Sequence, residues 1–509
     1  MLRTRWISLF VFAPLIAWGQ PAAESPTAPK RTCAELRSLT GYEFSVITAT
    51  LVGAAGDVPE YCRVTGQILP EIRFEVNLPS TWNRRFYMSG NGGYAGESLD
   101  SPQRARMREQ SMRRGFASAA TNTGHDAATE PLATFAVNSQ KLLDYAFRSL
   151  HVTAVTAKQL IGDYYGVGPA RSYFEGCSTG GRQALILAQR FPEDFDGIIA
   201  GAPVLNFSGT MIGYACSVEA FARAPIPYAK LSLLADRVYA QCDSADGLKD
   251  GLIDDPRRCD FRPSRDLPRC PEGADDAACL TSAQIGTLEK IYGDVVSNGR
   301  RIFFGWPVGA EVAGPNGRSG WDNWIVRQDG RQTTWASFGE TFFRYMAFPE
   351  KNPNYDLASF DLAKDPARLE WIHSVLDATD PDLTRFRDRG GKLLMFFGWA
   401  DPALNPRMGV DYYESVLARM GDSTSGFFRL FMVPGMFHCS GGIGTSNFDM
   451  LAGLRDWVER GTAPDRVPAA RIVNNKTVRT RPLCPYPQVA RYTGTGSIDE
   501  AANFTCRLP

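Results

Sequence analysis

The sequence predicts an α/β fold with one long insertion, and three observations support this class. Apolar runs of strand length alternate with helical apolar spacing in the N-terminal part of the chain, and the alternation resumes after residue 390. Residues 204–389 lack it and are rich in aromatic residues, prolines, cysteines and aspartates. Because alternating strands and helices build a parallel sheet, we expect a core of residues 20–203 and 390–509 interrupted by a lid domain.

The predicted strands of the core are short, and they cover residues 73–78, 85–88, 171–174, 196–203, 391–399 and 428–434. Helical apolar spacing covers residues 142–165, and a second helix is predicted from Gly181. A turn rich in glycine follows the second strand over residues 89–96.

The N-terminus has the features of a secretory signal. Arg3 and Arg5 precede an apolar run over residues 6–18, and small residues supply a cleavage site before Gln20. We therefore expect a signal peptide at residues 1–19 and a secreted or periplasmic protein, in which disulfides are permitted. No later segment reaches about 18 uninterrupted apolar residues, so we expect no membrane span.

The charge of the chain argues against two classes of partner. Its 55 basic and 55 acidic residues give zero net charge, and there is no block of lysine or arginine. Such a chain offers no electrostatic footprint for nucleic acid or for an anionic membrane. The expected partner is a small-molecule substrate.

The stretch Gly176-Cys177-Ser178-Thr179-Gly180 matches Gly-x-Ser-x-Gly, the pattern of a nucleophile elbow. It lies between a predicted strand and a predicted helix, which is the setting that the pattern requires. Ser178 is therefore the predicted nucleophile of a hydrolase, and it needs a base to take its proton and a carboxylate to orient that base.

The base can be sought by elimination among four histidines. His125 precedes Ser178, which is the wrong chain order for this elbow. His151 and His373 fall within helical patterns, where a surface or satisfied core histidine is the better interpretation. His438 remains, in a loop directly after the last predicted core strand. A structural loop histidine is its alternative.

The orienting acid should lie between Ser178 and His438 at the end of a core strand. Asp401 directly follows the apolar strand at residues 391–399, although an Asp-Pro turn is an alternative explanation. The order Ser178, Asp401, His438 is that of the α/β-hydrolases.

Two cysteines flank these residues. Cys177 precedes the nucleophile and Cys439 follows the predicted base. Triad geometry would bring them within the Cα separation of about 4.4–6.8 Å that a disulfide needs. We infer a disulfide that clamps Ser178 to His438.

The oxyanion of the reaction should meet two backbone N–H groups. One is that of Thr179, the residue after the nucleophile. The other is expected from Gly92 or Gly93 in the glycine turn, although these glycines could merely serve a tight turn.

On these residues the chain resembles the tannase and feruloyl esterase family over nearly all of its mature length. The resemblance is carried by GCSTGGRQAL, CDSADGLKDGLIDDPRRC, GWDNWI, FFRYMAF, GGKLLMFFGWADPALNP, VPGMFHC and AANFTC. It implies an α/β-hydrolase fold with a large lid and a secreted carboxylic ester hydrolase that forms an acyl-enzyme. It also implies the disulfides Cys33–Cys62, Cys177–Cys439, Cys242–Cys259, Cys270–Cys279 and Cys484–Cys506, which leave Cys216 as a free thiol.

The acidic stretch at residues 242–254 has carboxylates on a turn that contains glycine, an oxygen-rich setting that suits a hard cation. It lacks the spacing of an EF-hand. The resemblance implies a structural Ca²⁺ held by the side chains of Asp243, Asp246 and Asp250 and the backbone oxygens of Leu248 and Leu252. A solvated acidic turn is the alternative.

Residues of the predicted lid must determine the substrate specificity. Aromatic residues that could line a slot are Trp321, Trp324, Trp335, Phe338, Phe342, Phe343 and Tyr345, although such a run is more often core than pocket. The resemblance implies esters of small aromatic acids, with feruloyl-type esters ahead of gallate esters and terephthalate monoesters. A serine peptidase and a non-catalytic binding protein on the same fold are the other hypotheses.

Overall fold

The computed structural model describes residues 26–509. The predicted signal peptide at residues 1–19 lies outside the described residues. Within them, no helix has both the length and the apolar character needed to cross a bilayer.

The strands, in chain order, are β1 (Phe44–Val52), β2 (Tyr61–Ile68), β3 (Ile72–Pro79), β4 (Arg85–Ser89), β5 (Ala117–Thr121), β6 (Arg171–Cys177), β7 (Gly197–Gly201), β8 (Val295–Ser297), β9 (Arg300–Phe303), β10 (Lys392–Gly398), β11 (Phe428–Val433), β12 (Asn447–Phe448), β13 (Val467–Val473), β14 (Lys476–Leu483), β15 (Val489–Tyr492) and β16 (Phe504–Arg507).

The helices are α1 (Pro102–Arg113), α2 (Ser139–Leu143), α3 (Ser149–Tyr165), α4 (Thr179–Arg190), α5 (Phe207–Arg223), α6 (Leu231–Cys242), α7 (Pro263–Asp266), α8 (Ser282–Tyr292), α9 (Thr334–Tyr345), α10 (Glu370–Leu376), α11 (Thr384–Asp388), α12 (Arg407–Met420) and α13 (Met450–Arg460). A π-helical turn joins α2 to α3, so the helical spacing at residues 142–165 corresponds to one nearly continuous helical segment.

A nine-stranded sheet with the order β1-β2-β3-β5-β4-β6-β7-β10-β11 forms the centre of the molecule. The strands from β5 through β4 to β11 are parallel, as expected. β1, β2 and β3 pair antiparallel and extend one side of the sheet, so the sheet is mixed rather than wholly parallel. The fold is that of an α/β-hydrolase.

The insertion leaves and re-enters the sheet at one place. β7 and β10 are direct neighbours, with Ile198 opposite Leu393. The chain between them contains α5 to α11 and the hairpin β8–β9. Both strands are almost wholly buried, which explains their continuous apolar sequences.

The structure contains five disulfides, which join the ten cysteines in the pairs that the resemblance implies. Cys216 is unpaired and half-buried, and burial raises the pKa of its thiol to about 11.

Candidate active site

Ser178 lies on a sharp turn between the end of β6 and the start of α4. Its backbone has φ 65° and ψ −122°, a conformation that non-glycine residues adopt only where the surrounding structure enforces it. The turn is tight because Gly176 and Gly180 touch, and a Cβ on Gly176 would lie 2.5 Å from the Gly180 backbone. The backbone N–H of Ser178 donates to the carbonyl of Gly201 on β7 at 3.0 Å. These features explain the glycines of the Gly-x-Ser-x-Gly pattern.

His438 and the buried Asp401 form a pair just beyond the ends of two neighbouring strands. His438 Nδ1 lies 2.8 Å from Asp401 Oδ2, and the carboxylate is fully buried. Asp401 Oδ1 accepts the backbone N–H groups of Ala403 at 2.8 Å and Leu404 at 2.9 Å. With the carboxylate fixed in this way, a hydrogen bond from Nδ1 orients the ring and leaves Nε2 as the acceptor.

A pairing of histidine with aspartate does not by itself identify the base in this chain. His151 pairs with Asp194 and His373 with Asp377, each at 2.8 Å. Of the histidines, all of which lie in the described part of the chain, His438 is the one that lines a cavity together with Ser178.

The remaining histidine, His125, is buried against Phe135 with 3.8 Å between the ring centroids. Burial lowers its pKa to about 4. It lines a different cavity from the one beside Ser178.

The disulfide Cys177–Cys439 joins the residue before Ser178 to the residue after His438. The sulfurs are 2.01 Å apart and the Cα atoms 6.0 Å apart, although 262 positions separate the two cysteines in sequence. The bridge therefore fixes the His438 loop against the elbow.

The backbone near Ser178 distinguishes between the two glycines that were proposed for the oxyanion. The N–H of Gly92 already donates to Glu97 Oε1 at 2.6 Å. Within residues 26–509, the N–H groups of Gly93 and Thr179 donate no hydrogen bond, and both residues line the cavity. Gly93 has φ +50°, and its carbonyl accepts the Tyr145 hydroxyl at 3.2 Å. This arrangement favours Gly93 over Gly92.

Glu97 and Arg104 hold this loop, and sequence analysis did not identify them. Arg104 is buried, donates from Nε to Glu97 Oε2 at 3.0 Å and from Nη1 to Ser89 at 2.9 Å. Glu97 in the loop and Arg104 in α1 are single charged residues that belong to no recognisable motif, so the sequence did not predict this role.

A cavity of about 880 Å³ lies beside Ser178. Of the aromatic residues expected to form a slot, Trp324 and Phe338 line it, and the Trp324 ring meets the His438 ring edge-on with centroids 5.3 Å apart. The others do not line it, and most of them are core residues: Trp321, Trp335, Phe342 and Phe343 are buried and Tyr345 is half-buried. Aromatic residues that line the cavity but were not predicted to do so are Tyr87, Tyr94, Phe207, Tyr214, Phe396 and Phe448.

The acidic stretch forms a loop closed by Cys242–Cys259. Asp243 Oδ1 accepts the backbone N–H groups of Asp250 and Gly251 at 3.1 and 2.9 Å, and Asp246 accepts that of Leu248 at 2.9 Å. The turn is therefore held by hydrogen bonds from its own backbone N–H groups to its own aspartate side chains.

Three aspartates of the loop crowd together. Burial, followed by the neighbouring Asp246 carboxyl, holds the pKa of Asp254 well above its usual range. Asp250 pairs with Arg481 of β14. Among residues 26–509, no three His, Cys, Asp or Glu side chains converge so as to hold a metal on their own. The donor chemistry still suits a hard cation that also uses backbone oxygens.

Comparisons with known proteins agree with this geometry. The family model described as "Tannase and feruloyl esterase" matches residues 55–507. An uncharacterized esterase of Xanthomonas campestris pv. campestris is 37% identical over 93% of this chain and 91% of its own length. Mono(2-hydroxyethyl) terephthalate hydrolase of Piscinibacter sakaiensis is 33% identical, covering 95% and 93%. The crystal structure of feruloyl esterase B from Aspergillus oryzae superposes with a TM-score of 0.81 at 28% identity, covering 93% and 99%.

Proposed function

Because the chain belongs to the tannase and feruloyl esterase family, we propose that this carboxylic ester hydrolase is a secreted serine esterase for esters of small aromatic acids. The observation that carries the proposal is that Ser178, on a strained elbow, shares an aromatic-lined cavity with His438, which pairs with the buried Asp401. The five disulfides support export, because such bridges persist in oxidising compartments.

The mechanism uses Ser178 as the nucleophile. His438 Nε2 accepts the hydroxyl proton while Oγ attacks the ester carbonyl, and Asp401 stabilises the imidazolium that forms. The tetrahedral intermediate collapses, the C–O bond to the alcohol breaks, and His438 returns the proton to the leaving alcohol. Water then attacks the acyl-enzyme by the same route and releases the acid.

The oxyanion of each intermediate is stabilised by backbone N–H groups. We assign this role to Thr179 and Gly93, since Gly92 is occupied by Glu97. Fixed donors aimed at developing charge typically contribute about 10²–10³-fold in rate.

The acyl group is best matched by a planar aromatic acid. Trp324, Phe338, Phe207 and Tyr94 give the cavity flat apolar walls next to Ser178. Aromatic rings pack favourably in offset or edge-on contact with such walls. Feruloyl-type esters are the preferred substrates, and gallate esters and terephthalate monoesters are the alternatives.

The acidic loop is assigned a structural Ca²⁺. Its ligands would be the carboxylates of Asp243, Asp246 and Asp250 with the backbone oxygens of Leu248 and Leu252, and the crowding of Asp254 against Asp246 adds a further candidate. The ion would neutralise the carboxylates and fix the turn.

A turnover panel tests the proposed substrate class. We expect kcat/KM for methyl ferulate to exceed that for methyl gallate, for mono(2-hydroxyethyl) terephthalate and for p-nitrophenyl acetate. A preference for the gallate or the terephthalate ester would replace the feruloyl assignment. Hydrolysis of peptides in preference to every ester would overturn the substrate class altogether.

A further inference from the structure

A fully buried arginine lies on the helix that begins at the nucleophile. Arg182 belongs to the first turn of α4, and its backbone N–H donates to the Ser178 carbonyl at 3.0 Å. Within residues 26–509, the hydrogen bonds of its guanidinium all go to backbone carbonyls and none goes to a carboxylate. Because a buried charge without a counter-ion is unfavourable, other contacts must stabilise it.

The guanidinium is held by three carbonyls and two aromatic rings. Nη1 donates to the carbonyl of Ala146 at 3.0 Å and to that of Leu376 at 3.1 Å, and Nη2 donates to that of Tyr145 at 3.3 Å. The guanidinium carbon lies 5.0 Å from the centre of the Tyr145 ring and 5.8 Å from that of the Phe207 ring. Since ring faces attract cations, these contacts stabilise the charge, and they also fix the Tyr145 ring.

Tyr145 belongs to the π-helical turn Asp144–Arg148 between α2 and α3. The carbonyls of Tyr145 and Ala146, which accept hydrogen bonds from Arg182, belong to the same turn. Such wide turns are rare in proteins and often occur at functional sites. The Tyr145 side chain is buried, and its hydroxyl donates to the Gly93 carbonyl at 3.2 Å. Arg182 therefore anchors the turn that presents this hydroxyl to Gly93.

Gly93 depends on such contacts because a glycine has access to a wide range of backbone conformations, and here its φ is +50°. The peptide plane that precedes its Cα is held by the Ala95 N–H, which donates to the Gly92 carbonyl at 2.8 Å. The plane that follows its Cα is held by the hydroxyls of Tyr145 and Thr179, which both donate to the Gly93 carbonyl. With both planes fixed, the Gly93 N–H keeps one direction beside the cavity.

We propose that Arg182 and Tyr145 are positioning residues for the oxyanion hole, the pair of backbone N–H groups of Gly93 and Thr179. The guanidinium holds the Tyr145 ring and its turn, and the Tyr145 hydroxyl holds Gly93 so that its N–H meets the developing oxyanion. Neither side chain lines the cavity beside Ser178, so both act through the Gly93 backbone. The inference rests on the proposed function, because it takes Gly93 as an oxyanion donor.

The test compares an ester with its thiono analogue, in which sulfur replaces the carbonyl oxygen. Sulfur is a weak hydrogen-bond acceptor, so an intact oxyanion hole favours the oxygen ester. We measure kcat/KM for p-nitrophenyl butyrate and p-nitrophenyl thionobutyrate with the full mature protein and with Tyr145→Phe, which removes only the hydroxyl. The oxygen-to-sulfur ratio of kcat/KM should fall about tenfold, less than the roughly 10²–10³-fold loss of rate when a whole oxyanion donor is removed.

Tyr165→Phe is the matched control. The Tyr165 hydroxyl is also buried and also donates to a backbone carbonyl, that of Pro79 at 2.7 Å, but Pro79 ends β3 and does not line the cavity. Its removal should lower the melting temperature about as much as Tyr145→Phe does and leave the oxygen-to-sulfur ratio unchanged. An unchanged ratio in Tyr145→Phe, or an equal fall in both variants, would overturn the inference.

Arg182→Lys tests whether the arginine acts through Tyr145. Lysine keeps the charge but lacks the planar fork that spans the carbonyls and stacks on the ring. The ratio should fall in Arg182→Lys, and adding this change to Tyr145→Phe should cause no further fall, because the two residues form one chain of contacts. Additive falls would contradict the support of Tyr145 by Arg182. Circular dichroism checks the fold, and Tyr145→Phe decides the inference if Arg182→Lys does not fold.

The outcomes separate this inference from the proposed function. The butyrate esters contain no aromatic acid, so the ratio does not depend on the proposed substrate class. Normal turnover of Ser178→Ala would overturn the serine mechanism itself. An inactive Ser178→Ala together with an unchanged ratio in Tyr145→Phe would overturn only the positioning role.

Discussion

The nucleophile region and the acidic loop are each closed by a disulfide, but the two bridges join different kinds of chain. Cys177–Cys439 joins the end of β6 to the His438 loop, 262 positions away in sequence, whereas Cys242–Cys259 joins cysteines only 17 positions apart. The parts of the nucleophile region come together only when the central sheet forms. The acidic loop is a local turn, formed by residues that are close together in the chain.

The two regions also treat charge differently. Near Ser178 a single buried carboxylate, Asp401, has each oxygen occupied by a defined donor. In the acidic loop several carboxylates crowd together, and Arg481 of β14 supplies a counter-charge. Catalysis in the nucleophile region thus depends on bringing together residues that are distant in sequence. The stability of the acidic loop depends instead on neutralising its local excess of negative charge. The following predictions test that contrast.

The largest effect is expected from the nucleophile region. Ser178→Ala, His438→Ala and Asp401→Asn should each lower kcat by several orders of magnitude, about 10⁴-fold or more, since such residues act as a unit. The measurement is hydrolysis of a p-nitrophenyl ester, with circular dichroism as a check that the fold is intact. Near-normal turnover of His438→Ala would contradict the assignment of the base.

The chain provides matched controls for this prediction. His151 and His373 also pair with aspartates at 2.8 Å but lie outside the cavity. Alanine at either position should leave kcat within about twofold, because neither group contacts the reacting atoms.

The second prediction concerns the long-range clamp. Cys177→Ala with Cys439→Ala frees the His438 loop from the elbow, and a displacement of about 1 Å at a catalytic group can lower the rate about a hundredfold. The double variant Cys33→Ala with Cys62→Ala breaks a bridge at the side of the sheet and should lower the melting temperature without a comparable loss of turnover. Equal turnover in the two double variants would show that the clamp does not position the base.

The third prediction concerns the loop that presents Gly93. Glu97→Ala removes the acceptor of the Gly92 N–H and leaves the buried Arg104 without its carboxylate. We expect kcat to fall about tenfold, less than for the loss of an oxyanion donor, while KM changes little.

Glu75→Ala is the control for this substitution. Glu75 is also buried and pairs with Arg63 and Arg108, but it lies outside the cavity. Glu75→Ala should lower the melting temperature at least as much, because Arg108 loses its carboxylate partner and Arg63 keeps only Asp100. A parallel loss of kcat in both variants would mean that Glu97 acts only through stability.

The parts of this molecule that were predicted from sequence are those whose signals are local. β7 and β10 read as continuous apolar runs because both faces of the sheet are covered. β1 was missed although most of its residues are apolar, because it lies at the outer side of the sheet and alternates with polar residues, so it shows no continuous apolar run.

The residues of the candidate site also fall into those with a local sequence signal and those without one. The elbow motif and chain order predicted Ser178, Asp401 and His438 as a triad. The fold places Ser178 and His438 on one cavity and Asp401 beside His438. Sequence could not distinguish Gly92 from Gly93, because the answer depends on which N–H the Glu97 carboxyl occupies.

The smallest effect is expected at the acidic loop, and it decides whether the loop is a metal site or a solvated turn. A ligand that binds only the folded chain stabilises it by about 2.7 kcal/mol at a hundredfold excess over Kd. Chelation should therefore lower the melting temperature by several degrees, while turnover at 25 °C is retained because the loop is not part of the chemistry. Arg481→Gln removes a counter-charge from Asp250, so chelation should lower its melting temperature further than that of the wild type. The triple variant Asp243→Asn, Asp246→Asn, Asp250→Asn should no longer respond to calcium. Melting curves of all three proteins, with and without chelator, distinguish the two cases: a solvated turn predicts that Arg481→Gln changes stability equally with and without the chelator.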